Sequence, residues 1–120
     1  MALRHPQSAR LLRAADFARL RESGSRLSSQ QLSIQFCNCE NRGPRLGMAV
    51  SRRVSKLAIV RNRIRRQIRE SFRLNRPRLP ACDILVIARQ SAAQRSNAQL
   101  RVELESLWSR LAAKATAIER

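Results

Sequence analysis

Between Val60 and Phe72 an apolar residue returns at every fourth position, as Val60, Ile64, Ile68 and Phe72, and arginine fills most of the places between them. At 100° per residue and with Val60 at zero, Ile64, Ile68 and Phe72 fall between about 40° and 120°, one helical face that needs something to be buried against. Arg65, Arg66, Arg69 and Arg73 fall between about 140° and 240° with Asn62 among them, so the same helix turns a row of guanidiniums and one amide outward. Glu70 is the only acid in this stretch. Like charges at i,i+4 spacing, as in Arg61, Arg65, Arg69 and Arg73, destabilise an isolated helix by a few tenths of a kcal/mol per pair. The face therefore needs an anion from outside the segment.

The charge of the whole chain says the same. Its 120 residues carry 25 Lys and Arg against 8 Asp and Glu, a formal charge of +17. A compact domain of that charge repels itself unless a polyanion is near, and nucleic acid is the obvious one. Only Lys56 and Lys114 are lysines. Arginine grips phosphate bidentately and stacks on bases, which an ammonium does not; GC-rich coding also replaces lysine by arginine, but it does not explain the charge. Between Asn41 and Cys82 stand 13 basic residues and one acid, whereas Asp83, Glu103, Glu105 and Glu119 lie later, so the middle of the chain is read as the polyanion-facing part.

With 43% of its residues apolar and organised into runs such as Cys82–Ala88, the chain is expected to fold as one domain over residues 1–120. No apolar stretch approaches the roughly 20 residues that span a bilayer, and no signal-peptide pattern opens the sequence. The expectation is a cytoplasmic protein without a membrane partner. Three cysteines, Cys37, Cys39 and Cys82, are an odd number without a secretory signal and are expected to be reduced. Cys37-Asn38-Cys39 could offer two thiolates to a metal, but the single histidine, His5, is remote in sequence and no second ligand pair appears, so no metal is expected on the protein.

Residues 1–12 read as a loose basic arm. Ala14, Phe17, Ala18 and Leu20 mark a first helix over 13–23, with Gly24 placed for a left-handed cap. Over 26–38 the alternation of Leu32, Ile34 and Phe36 with polar residues predicts one half-buried strand. Turn chemistry at residues 40–44 and a second strand over 45–50 suggest a hairpin with the first. Ser55 is placed as the N-cap of a helix over 56–74, which Pro77 and Pro80 end. Cys82–Ala88 suits a strand covered on both faces. Ser96 and Gln99 form a capping box for a helix that turns Leu100, Leu104, Leu107, Trp108 and Leu111 to one side, with a tail over 115–120. The predicted order is α-β-β-α-β-α, an α+β sandwich of helices on a small sheet.

Arg52, Arg53 and Lys56 precede the arginine helix and extend its basic patch. Phosphodiester hydrolysis needs metal-held or acid–base groups at the scissile bond, and no cluster of Asp, Glu or His offers them. These residues alone point to a nucleic-acid-binding module whose side chains perform no chemistry. They leave open a ribosomal or RNA-assembly protein, and also a DNA regulator reading the major groove with Arg61 to Arg73.

Arg61-Asn62-Arg63-Ile64-Arg65-Arg66, followed by Ile68-Arg69-Glu70-Ser71-Phe72-Arg73, resembles the signature helix of the bacterial ribonuclease P protein subunit. Gly47-Met48-Ala49-Val50-Ser51-Arg52-Arg53 is similar to the strand and basic turn before that helix. Asp83 to Arg89 is similar to the strand after it, and Asp16-Phe17 with Gly24 to the first helix, so the resemblance covers residues 10–112. It implies an α/β sandwich, the fold of the second domain of a small-subunit ribosomal protein. In it the arginine helix joins two parallel strands by a left-handed crossover, against the general right-handed preference. It implies that Arg52, Arg53, Arg61, Asn62, Arg63, Arg65, Arg66 and Arg69 contact the catalytic RNA, with no DNA as partner. A cleft between the first helix and the sheet would hold the 5′ leader of precursor tRNA. Phe17 matches an aromatic position of that cleft and equally suits the helix core. Arg21 and Gln35 stand where some members carry aromatics. Stacking on an aromatic is worth roughly 1–3 kcal/mol per base, so leader binding here would rest more on Arg21 or on phosphate contact. The resemblance also implies that RNA holds the catalytic Mg2+ and cuts, while the protein neutralises phosphates and distinguishes precursor from product.

Overall fold

The computed structural model describes residues 20, 24–38 and 43–118. The expected arm, most of the first helix with Phe17 and Arg21, Cys39 and residues 40–42 lie outside them.

The segment with two apolar faces organises the rest. Cys82–Ala88 forms β4, which pairs antiparallel with β2 (Leu32–Asn38) and parallel with β3 (Arg45–Ala49); β1 (Ser25–Ser28) is antiparallel to β2, giving the order β1-β2-β4-β3. The expected hairpin between β2 and β3 does not form. The two strands run in opposite directions, but β4, apolar on both sides, takes the interior position and separates them. The single strand predicted over 26–38 is likewise two strands. Its turn at residues 29–31 has no Gly or Pro to announce it. It closes through Ser29 N–H on the Leu32 carbonyl (2.8 Å) and through Glu103. The Glu103 Oε2 accepts from the Gln31 and Leu32 amides (2.7 and 2.9 Å) and from the Ser29 hydroxyl.

Alternation along the strands sorts the sheet into two faces. Leu32, Ile34, Phe36, Leu46, Ile84, Val86 and Ala88 lie under two helices, α1 (Ala58–Asn75) and α2 (Asn97–Ile118), which bury Ile64, Ile68, Phe72, Leu100, Leu104, Leu107, Trp108 and Leu111 against them. The helices run side by side in the same direction, with Arg63 bonded to Asn97, Arg101 to Gln67 and Trp108 Nε1 donating to Ser71 Oγ (2.8 Å). The Phe72 and Trp108 rings meet edge to face at 6.1 Å, a geometry worth about 0.5–1.5 kcal/mol beyond area burial. The opposite face carries Leu85 packed with Leu20 and flanked by Cys37 and Ile87. Beside them the buried Arg45 and Asp83, opposite one another across β3 and β4, pair bidentately at 2.7 and 2.8 Å.

Helix ends follow the sequence unevenly. The Ser96–Gln99 capping box forms in both directions, Ser96 N–H to Gln99 Oε1 (2.9 Å) and Gln99 N–H to Ser96 Oγ (3.1 Å). Ser55 does not cap α1; its hydroxyl accepts from the Leu57 amide in the preceding turn (3.1 Å), and Leu57 occupies the N-cap position without a side-chain bond. α1 gives way at Asn75 to a 3-10 turn, Arg76–Arg78, containing Pro77. α2 continues to Ile118, into the stretch read as a tail. Gly24 is not left-handed. Its N–H bonds the Leu20 carbonyl (2.9 Å) and an added Cβ would lie 2.4 Å from that oxygen, so close approach is what requires glycine there.

Candidate nucleic-acid interface

α1 presents the two faces that its periodicity predicts. Ile64, Ile68 and Phe72 are buried, while Asn62, Arg66 and Arg69 are exposed and Arg61, Arg63, Arg65 and Arg73 are partly so. The guanidiniums have three kinds of surroundings. Arg66 and Arg69 have no hydrogen bond or ion pair among the described residues. Arg73 pairs with Glu70 (2.8 Å), and the hydrogen bond, then the charge, of that carboxylate raises the Arg73 pKa above its ordinary value. Arg61, Arg63 and Arg65 bond to uncharged acceptors.

Those acceptors show what the last three arginines do within the fold. Arg61 Nη1 donates to the carbonyls of Ser55 (2.9 Å) and Lys56 (3.1 Å), and Arg65 donates to the Val50 carbonyl (3.2 Å) and Asn62 Oδ1 (3.0 Å). Both thereby hold the turn that precedes α1. That turn is pinned from inside by buried Val54, whose N–H bonds the Ser51 carbonyl (3.0 Å). On its exposed side stand Arg52, Arg53 and Lys56, whose side chains have no bond among the described residues. Arg63 leaves the ridge: at about 300° on the helical wheel it faces α2, bonding Asn97 Oδ1 (2.8 Å) and the Ala93 carbonyl (3.2 Å). A neutral acceptor does not cancel a guanidinium charge. Along α1, then, one carboxylate meets Arg61, Arg63, Arg65, Arg66, Arg69 and Arg73, and the surface remains cationic.

The expected leader-binding residues are reached in part. Gln35 lies on the sheet face opposite the helices, in register with Arg26 and Leu85, and is buried with its Oε1 unbonded among the described residues. Phe17 and Arg21 fall outside those residues. On the far flank of α2 a groove of about 500 Å³ is lined by Ser29, Gln30, Arg95, Val102 and Glu103, among others. Its carboxylate, Glu103, is engaged in closing the β1–β2 turn. Two cations lie outside the stretch from Asn41 to Cys82 that the sequence marks as polyanion-facing. Arg89 and Arg95 stand at the end of the sheet where the 51–56 turn also lies, because parallel pairing brings the ends of β3 and β4 together. Only the strand order reveals that neighbourhood.

The comparisons with known proteins bear on the family and the fold. A family model described as ribonuclease P matches residues 5–112. The ribonuclease P protein component of Idiomarina loihiensis is 51% identical over 69 residues, 58% of this chain and 55% of that protein. The one from Ectopseudomonas mendocina is 49% identical over 69 residues, 58% of this chain and 52% of that protein. The matched part thus spans about half the length of these curated relatives. Among solved structures, the RNase P protein of Staphylococcus aureus aligns at 36% identity and a TM-score of 0.77, covering 82% of this chain and 90% of that one. The RNase P protein of Thermotoga maritima aligns at 30% identity and 0.74, covering 82% and 94%.

Proposed function

Because the chain belongs to the ribonuclease P protein family, we propose that it is the protein subunit of a ribonucleoprotein endoribonuclease in the cytoplasm. It binds the catalytic RNA and the 5′ leader of precursor tRNA, and so assists removal of the leader and release of the mature tRNA 5′ end. The observation that carries the reading is the exposed line of Arg66 and Arg69 on α1, with Arg52, Arg53 and Lys56 on the adjoining turn and one carboxylate, Glu70, among them. Cations fixed on a rigid helix and a pinned turn fit a phosphate backbone of defined shape, and neutralising it lets segments of folded RNA approach one another.

The chemistry belongs to the RNA in this reading. Mg2+ is assigned to the RNA and the arginines to its phosphates. Gln35, with Phe17 and Arg21, is assigned to the leader. No helix of the described residues is long and apolar enough to cross a membrane.

The test is reconstitution. The purified protein is expected to raise cleavage of precursor tRNA by ribonuclease P RNA near physiological Mg2+, with an affinity whose logarithm falls steeply with log salt. Failure to improve cleavage sinks the proposal. Equal affinity for ribosomal RNA with no effect on precursor tRNA would favour an assembly protein, and duplex DNA outcompeting RNA would favour a DNA-binding regulator.

A further inference from the structure

The end of the sheet at which β3 and β4 both finish gathers cations from separate parts of the chain. The register Ala49↔Ile87 brings the two C-terminal ends together, and Leu32↔Ala88 brings the β1–β2 turn beside them. Arg52, Arg53 and Lys56 follow β3; Arg89 and Arg95 follow β4. The 3-10 turn between the last two, Gln90–Gln94, is anchored by Ala92, which is wholly buried. The Arg89 amide donates to the Gln31 carbonyl (2.9 Å) and the Arg95 amide to the Ala92 carbonyl (3.1 Å), so both backbones are fixed.

Both long helices start at this end. Arg63, in the second turn of α1, bonds Ala93 and Asn97 at the start of α2, so the N-termini sit side by side. Neither helix has an acid in its first turn. Two parallel macrodipoles therefore add positive potential to that of the side chains. Of the described carboxylates only Glu103, which lines the same groove as Arg95, lies at this end, one negative charge against Arg52, Arg53, Lys56, Arg89 and Arg95. Asp83 is locked to Arg45 at the other end of β4, and Glu105 bonds Asn75 and Arg78 at the far end of α1. Glu70 pairs with Arg73, and Glu103 is taken by Ser29, Gln31 and Leu32. The Arg89 side chain is exposed and unbonded among the described residues, while the half-buried Arg95 is held by uncharged acceptors, the Gln31 side-chain oxygen at 2.8 and 3.1 Å and Gln30 Oε1 at 3.4 Å.

We infer that this end of the sheet is a second phosphate-binding face, carried by Arg89 and Arg95, that takes a stretch of RNA backbone separate from the one on the α1 ridge. It rests on the reading of the protein as an RNA-binding subunit. The 51–56 turn borders both faces, and from it they diverge: the ridge turns away from α2, whereas Arg89 and Arg95 lie beside the α2 N-terminus, with Arg63 bolting the helices together between them.

Binding to ribonuclease P RNA across a salt series, with a backbone-cleavage footprint, tests it. Arg89→Ala with Arg95→Ala is expected to lower the log–log salt slope by about one to two units. It should expose an RNA segment other than the one exposed by Arg66→Ala with Arg69→Ala. Arg89→Ala alone, which disturbs no side-chain bond among the described residues, should lower the slope by about one unit. Wild-type slope and footprint in both variants would overturn the inference, as would loss of protection at the ridge segment only. A wild-type protein that bound this RNA without salt dependence would instead overturn the reading beneath it.

Discussion

α1 and α2 lie on the same face of the same sheet and use their polar residues in opposite ways. In α2 the polar side chains complete the fold: Ser96 and Gln99 cap it, Glu103 closes the β1–β2 turn, and Arg110 holds the Ser28 carbonyl (2.9 Å). Glu105 secures Asn75 and Arg78 at the end of α1. α1 has no side-chain cap, and Arg66 and Arg69 on its outer surface bond nothing among the described residues. A helix whose outer arginines repel one another is composed for a ligand and kept in place by its inner face. Burial explains both helices; only the outer surface distinguishes a structural one from a binding one.

The comparison can be broken most directly at the inner faces, where the helices should behave alike. Ile64→Ala and Leu104→Ala, both at sites with no solvent exposure, are each expected to lose about 2–5 kcal/mol in urea unfolding. A loss in α1 below about 1 kcal/mol would mean that something other than the apolar stripe holds the arginine helix. On the outer faces the helices should part. Glu103→Gln is expected to destabilise by about 1.5–3 kcal/mol, since three donors lose an ionised acceptor, with the salt slope of RNA binding unchanged. Arg66→Ala with Arg69→Ala should do the reverse, shifting stability by less than about 0.5 kcal/mol and lowering the salt slope by about one to two units. An unchanged slope would place these guanidiniums off the RNA.

Smaller effects sharpen the contrast at the helix starts. Ser96→Ala should remove about 1 kcal/mol by opening the α2 capping box. Leu57→Ser, at an N-cap position that is 63% exposed with extended backbone, should add roughly 0.5–1 kcal/mol by supplying the cap α1 lacks. Thermal melts of the two variants read both changes.

The legible parts were those set by local periodicity. The stripe at Ile64, Ile68 and Phe72, the reciprocal Ser96–Gln99 cap and the doubly covered β4 all follow from residues within one element. What stayed hidden depends on residues far apart in the chain. Nothing near Ser29 announces a turn, because the carboxylate that closes it comes from Glu103. The β2–β3 pairing failed because adjacency in a sheet is decided by which strand can bury both faces. At the site, the wheel placed Arg65, Arg66, Arg69 and Arg73 outward, but it could not show that Arg61 and Arg65 clasp the backbone of the basic turn. Nor could it show that Arg63 faces α2. Those roles exist only once the turn and the second helix are in place.

Strand order also dictates when this protein can acquire its shape during synthesis. β3 has no neighbour in the sheet until β4 has been made, and α1, lying between them in sequence, has no finished floor before residue 88 is available. Contacts of such long sequence separation form late and slowly. A nascent or truncated chain ending before β4 would expose the arginines on an unsupported segment. Competence to grip RNA in a defined geometry is thus postponed until β4, through Ala88, has emerged.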